Sequence, residues 1–112
     1  MSLFEQLPEF EKEFSKLVRK YSSLPEDLKK LERLISVHPV GFGTNFVTIR
    51  QTPQVRIVKA RLACKSLRNR SIRIIYSYHE ETITFVHIEI YFKGNKENED
   101  RERIEKYLKE FR

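Results

Sequence analysis

A chain of 112 residues, 39% hydrophobic and 34% charged with a net charge of +6, has the length for one hydrophobic core, and a single domain over residues 1–112 is expected. No apolar run reaches the ~20 residues of a membrane span, Met1 to Glu5 lacks the basic start of a signal peptide, and the lone Cys64 cannot close an internal disulfide, so a cytoplasmic protein without a membrane partner is expected. Between Leu34 and His79 stand eight basic residues and no acidic one, and positive charge gathered on one segment is the footprint of a surface for polyanions such as RNA or DNA.

Leu3 to Gln6 reads as a short strand, and Pro8 suits the first turn of a helix, where its missing N–H costs nothing. Phe10, Phe14, Leu17, Val18 and Tyr21 recur at helical spacing and predict an amphipathic helix. Ser23 with Glu26 fits a capping box opening a second helix. Leu24, Leu28, Leu31, Leu34, Ile35 and Val37 stripe that helix and Pro39 stops it. The connector around Ser22-Ser23 is short, so the two helices are expected to form an antiparallel hairpin. The loop from Pro39 to Asn45 holds Gly41-Phe42-Gly43, which lacks the strand-before, helix-after context of a phosphate loop. Phe46 to Arg50 reads as a strand, and Thr52-Pro53-Gln54 as the turn that leads out of it.

The stretch from Val55 to Lys93 is read as three strands with one apolar and one cationic face. Alternation sets Lys59 and Arg61 opposite Val58, Ala60 and Leu62. Ile72, Ile74, Tyr76 and Tyr78 share a face in the next run, with Arg73, Ile75 and Ser77 on the other. In the last run Val86, Ile88, Ile90 and Phe92 are expected on the apolar face, and His87, Glu89, Tyr91 and Lys93 on the polar one. After Gly94-Asn95, Asn98 is the expected cap of a closing helix with Glu99 and Asp100 in its first turn and a Glu99–Arg103 pair along its side. Its stripe of Ile104, Tyr107, Leu108 and Phe111 is expected to rest on Ile83 and Phe85.

This order of elements, with the residues on the sheet, resembles the RelE/ParE superfamily of type II toxin–antitoxin systems over nearly the whole chain. The carriers are Pro8-Glu9-Phe10-Glu11-Lys12-Glu13-Phe14, Lys59-Ala60-Arg61-Leu62, Ser71-Ile72-Arg73-Ile74-Ile75-Tyr76 and Ile88-Glu89-Ile90-Tyr91-Phe92-Lys93. The resemblance implies an α+β RelE-like toxin fold, an N-terminal helical hairpin packed on an antiparallel β-sheet with a C-terminal helix. The cations of the middle strands place the chain nearer the RelE and HigB side than the ParE side. That implies a toxin acting as a ribosome-dependent mRNA endoribonuclease (an mRNA interferase) without a cofactor, held inactive by a cognate antitoxin. The alternative is a non-catalytic, ParE-like gyrase-binding or degenerate toxin. Residue by residue, the resemblance assigns Lys59 and Arg61 to the family's paired cations, Arg73 to its strand arginine, and Lys93 to the basic residue ending the last strand. After Lys93, Gly94-Asn95-Lys96-Glu97 offers neither the Tyr nor the His that RelE-like enzymes place there. Tyr91 or His87 would take that part from within the strand.

Metal-free RNA cleavage needs a base for the ribose 2′-hydroxyl, cations for the phosphorane charge and an acid for the 5′-oxygen. Arg73 suits the charge, because guanidinium stays protonated and binds phosphate bidentately. Lys59, with Arg61 beside it, is read as base or electrostatic partner. Tyr91, His87 and Lys93 are unranked candidates for the acid, and each has a plain structural reading as a packing or hydrogen-bonded residue. Arg56, Lys65, Arg68 and Arg70 are the remaining expected RNA contacts. His38, His79, His87 and Cys64 share no metal-ligand spacing, so no metal site is expected.

Overall fold

A computed structural model of the chain describes residues 3–111, apart from the side chains of Asn69 and Arg70. The elements follow in the order β1 (Leu3–Gln6), α1 (Pro8–Lys20), α2 (Leu24–Val37), β2 (Phe46–Gln51), β3 (Val55–Cys64), β4 (Asn69–His79), β5 (Thr84–Phe92) and α3 (Arg101–Lys109). The strands form one sheet in the order β1-β5-β4-β3-β2. All neighbours are antiparallel except β1, which runs parallel to β5 at the edge.

The helical hairpin covers one face of the sheet. Phe10 of α1 and Leu24, Leu28, Leu31 and Ile35 of α2 pack on Val58, Ala60, Leu62, Ile72, Ile74, Tyr76 and Ile90. These are the alternate positions of β3 and β4 that the sequence pattern assigns to the apolar side. Pro8 occupies the first turn of α1 as expected. Ser23 stands at the start of α2 but makes no capping bond. Its hydroxyl instead donates to Asp27, and that carboxylate accepts the amide of Lys65, tying the helix to the turn after β3.

Helix α3 covers the opposite face at one end only. Ile104, Tyr107 and Leu108 of α3 rest on Val55, Ile57, Ile75, Val86 and Ile88. Ile83 and Phe85, the expected seat, do not take part. Ile83 is 45% exposed in the β4–β5 turn, and Phe85 stacks on Phe4 and Tyr78 in the hairpin-side core. The cause is a β-bulge. Ile75 pairs with Glu89 while Tyr76 pairs with His87, so β5 carries Ile88 as an extra residue. On the near side of the bulge Phe85 and His87 face the hairpin and Val86 faces α3. Beyond it Ile90 and Phe92 face the hairpin. A strict alternation cannot follow such a slip.

The bulge also exposes an edge problem that the fold resolves with charge. β1 pairs with β5 only as far as His87, which leaves the edge of β5 beyond that point without a strand. Glu13 of α1 accepts the amide of Ile90, and Arg103 of α3 donates to the carbonyl of Ile88. The two side chains bind each other in a double hydrogen bond of 2.9 Å on each arm. One ion pair thus stands in for a missing strand and clamps α1 to α3.

Candidate functional site

Because α3 covers one end of its face, the other end is left free of helix, and the cations of β3 and β4 lie there. Arg61 is directly opposite Arg73, and Arg73 is directly opposite Tyr91. Directly opposed residues of antiparallel strands project to the same side, so these three form a row across the sheet. Lys59 is one alternation back on β3. Lys93 follows at the end of β5, where its amide donates to the carbonyl of Ser71.

A cleft of about 260 Å³ opens over this row, walled by Lys59, Arg61, Arg73 and Lys93 on one side and by Thr44, Asn45, Val47 and Ile49 on the other. The second wall is β2 with the loop before it. That loop is pinned where Tyr76 donates to the carbonyl of Pro39 at 2.9 Å and where the amide of Arg61 donates to Asn45 at 2.9 Å. Gly41 has a positive φ of 69°, and any side chain there would overlap the ring of Phe46. The glycine therefore serves loop geometry, not a phosphate.

Arg73 is buried at 7% exposure, although it is a cation among cations. Burial lowers its pKa and the facing Arg61 lowers it further, with Tyr91 partly offsetting. A guanidinium remains charged even so, and like charges gathered at the base of a cleft favour an anion between them. Lys59 is placed differently. Its ammonium donates to the carboxylate of Glu99 at 2.9 Å. Burial alone would lower the pKa of Lys59, but the bond to Glu99 and the influence of Tyr91 and the Glu99 charge outweigh it and hold the pKa above the ordinary lysine value. That arrangement favours a charged Lys59 and disfavours the expected part of base.

Tyr91 lies beside this cleft and does not wall it. The residue is buried with its hydroxyl beside Lys59, and the Lys96 ammonium stands 5.7 Å from the centre of its ring. Burial raises the phenol pKa, and nearby Lys59 only partly offsets that, so the hydroxyl is protonated at neutral pH. His87 is elsewhere. The bulge turns it to the hairpin face, where it is fully buried between the rings of Phe4 and Phe10 and bonded to Glu32 at 2.9 Å. It is thereby removed as a proton donor to the open face.

The other basic residues do not gather at the cleft. Arg56 shares the hairpin-side parity of Val58 and is half-buried opposite Tyr78. Lys65 and Arg68 are exposed in the turn between β3 and β4, where Arg68 has a positive φ of 57°. The side chain of Arg70 lies outside the described residues. Glu89 accepts from Lys96 and from the amide of Asp100. Among the described residues no group of three or more His, Cys, Asp and Glu side chains is placed to hold a metal ion.

Sequence reasoning missed Glu99. It reads as the first turn of α3, four residues before Arg103, yet the cap is Asp100, which accepts from the amide of Arg103. Glu99 precedes the helix and reaches the sheet, and no periodicity in the chain encodes that reach.

The sequence matches no protein-family model and no curated protein. The structure is similar to that of the archaeal RelE–RelB complex from Pyrococcus horikoshii OT3, with a TM-score of 0.64 over 83% of this chain and 96% of that one, at 14% sequence identity. The chain has an α+β RelE-like fold, as the resemblance implies.

Proposed function

We propose that this protein is the toxin of a type II toxin–antitoxin pair, an endoribonuclease that cuts mRNA on the ribosome and is silenced by a cognate antitoxin. The observation that carries the reading is the Arg61–Arg73–Tyr91 row at the open end of the sheet, with Lys59 and Lys93 beside it. A structural neighbour that was solved as a RelE–RelB complex supports an antitoxin as partner.

In this reading Arg73 receives the scissile phosphate. Its burial and its place between two paired strands give it the fixed geometry that stabilises a developing phosphorane charge. Arg61 and Lys93, both exposed, bind the flanking phosphates, and the charged Lys59 shares the load. Lys93, exposed at the cleft, gives a proton to the departing 5′-oxygen, and the 2′-hydroxyl proton passes to solvent, while Tyr91 lies buried behind Arg73. The dispersed cations Arg56, Lys65, Arg68 and Arg70 contribute long-range attraction to the polyanion.

Purified protein incubated with programmed ribosomes, followed by primer extension on the mRNA, tests the proposal. New 5′ ends that need both protein and ribosome are expected. Uncut mRNA together with inhibition of gyrase supercoiling would replace this reading with a gyrase-directed one.

A further inference from the structure

Lys59 and Glu99 meet where two grooves join. Val47 and Ile49 wall both the cationic cleft and a second groove of about 430 Å³, whose far side includes Glu99, Arg101 and Ile104. Lys59 belongs to the cleft and Glu99 to the groove, and their 2.9 Å bond spans the junction with side chains only 26% and 11% exposed. Glu99 is itself anchored. The next residue, Asp100, donates its amide to the fully buried Glu89 at 2.8 Å while its own carboxylate caps α3. A pair built on such supports is not a chance surface contact, which is worth little and comes and goes.

We propose that Glu99 is a positioning residue that holds the Lys59 ammonium charged and fixed at the wall of the cleft, ready for phosphate. The groups around Lys59 make the need plain. Arg61 on its own strand, Arg73 from β4 and Lys93 from the end of β5 wall the same cleft, and all three favour the neutral amine. Arg101 flanks Glu99 at 3.9 Å, and β2 offers Val47 and Ile49 to the cleft and Arg50, paired with Glu105, to the groove. Burial also favours the neutral amine, but the directly bonded Glu99 and Tyr91 on β5 outweigh it, and the balance leaves the ammonium more strongly protonated than an ordinary lysine. An ammonium has three donors. Glu99 takes one, so the contact orients Lys59 without closing it to a phosphate oxygen. The phosphate part of this inference rests on the ribonuclease reading, whereas the coupling of the two side chains is measurable without it.

The test is a titration of Lys59 by NMR with ¹⁵N-labelled lysine side chains, its signal assigned with Lys59→Arg, beside ribosome-dependent cleavage measured across pH. Glu99→Gln keeps the shape and an acceptor but removes the charge; Glu99→Asp keeps the charge on a shorter stem. In Glu99→Gln, Lys59 is expected to titrate lower by about one pH unit or more. The alkaline fall of the cleavage rate should move by the same amount, with rates near pH 6 barely changed and Glu99→Asp restoring part of the shift. Identical Lys59 titrations in Glu99→Gln and the wild type would overturn the proposal. So would faster cleavage by Glu99→Gln at every pH, which would make Glu99 a plug over the cleft. A shifted titration in a protein that cuts no mRNA would uphold the coupling and sink the ribonuclease reading instead.

Discussion

At the scale of single residues, the parts of the site that were legible are those fixed by strand parity. Lys59, Arg61 and Arg73 stand where alternation along β3 and β4 places them, because neither strand slips between Val55 and Leu62 or between Ile72 and Tyr78 in their mutual register. His87 and Glu99 were not legible, one because of an inserted residue and the other because a loop carries it across space. Tyr91 gives the sharpest single-residue prediction. Its hydroxyl is buried beside Lys59, and a single buried hydrogen bond is worth only about 0.5–1.5 kcal/mol to a fold. Tyr91→Phe is therefore expected to keep the fold, with a stability in urea within about 1 kcal/mol of the wild type. Because the hydroxyl does not wall the cleft, the same substitution should slow mRNA cleavage by less than about tenfold, and a loss of about a hundredfold or more would make Tyr91 the proton donor. A variant that is less stable yet equally active would assign Tyr91 to packing.

At the scale of elements, the helices and strands follow from the sequence pattern closely, and what eluded it is the seating of α3. The stripe of Ile104, Tyr107 and Leu108 was evident, but its seat depends on the extra residue in β5, which moves the apolar positions of that strand between faces. The helix is fastened as well as packed. Tyr107 bonds Ser77 at 2.7 Å, His79 at 2.5 Å, and Arg103 joins Glu13 and the β5 edge. The Glu13 hydrogen bond is the main cause of the raised pKa of Arg103, with burial opposing it. Arg103→Ala removes the partner of Glu13 and the donor to Ile88 together. A loss of about 1.5–3 kcal/mol in urea unfolding is expected, with faster amide exchange at the β5 edge. An unchanged midpoint would show that the edge is held by packing alone. Glu99 adds a pH signature to the same segment. Burial opposes its ionisation, but the Lys59 bond and charge prevail and its pKa lies below the usual carboxylate value. A depressed carboxylate pKa contributes stability that is present above the unfolded value and lost as pH falls through the folded one. The α3 segment should therefore loosen on acidification below about pH 4.5.

At the scale of the whole molecule, the fold divides one sheet face between a helix and a cationic cleft, and the distribution of charge follows that division. The basic segment that stands out in the sequence supplies three of the four cations of the cleft, while Lys93 comes from beyond it. RNA binding is expected to weaken with salt with a slope of about −0.7 per neutralised phosphate of a single strand. Lys65→Ala and Arg68→Ala should flatten that slope without abolishing cleavage, since both residues lie in the turn beyond the cleft. Equal affinity at 50 and 200 mM salt, values on the order of those that separate such effects, would take RNA off the list of partners. The central claim is that the open end of the sheet cuts mRNA, and Arg73 is its most direct test. The side chain is buried at the base of the cleft and lies off the hairpin-side core, so Arg73→Ala should fold. Induced in cells, it is expected to lose growth inhibition and ribosome-dependent mRNA cleavage by about a hundred- to a thousandfold while still binding antitoxin. Arg73→Lys should recover little, because a point charge cannot reproduce the bidentate fork. A folded Arg73→Ala protein that inhibits growth and cuts mRNA as the wild type does would contradict the account.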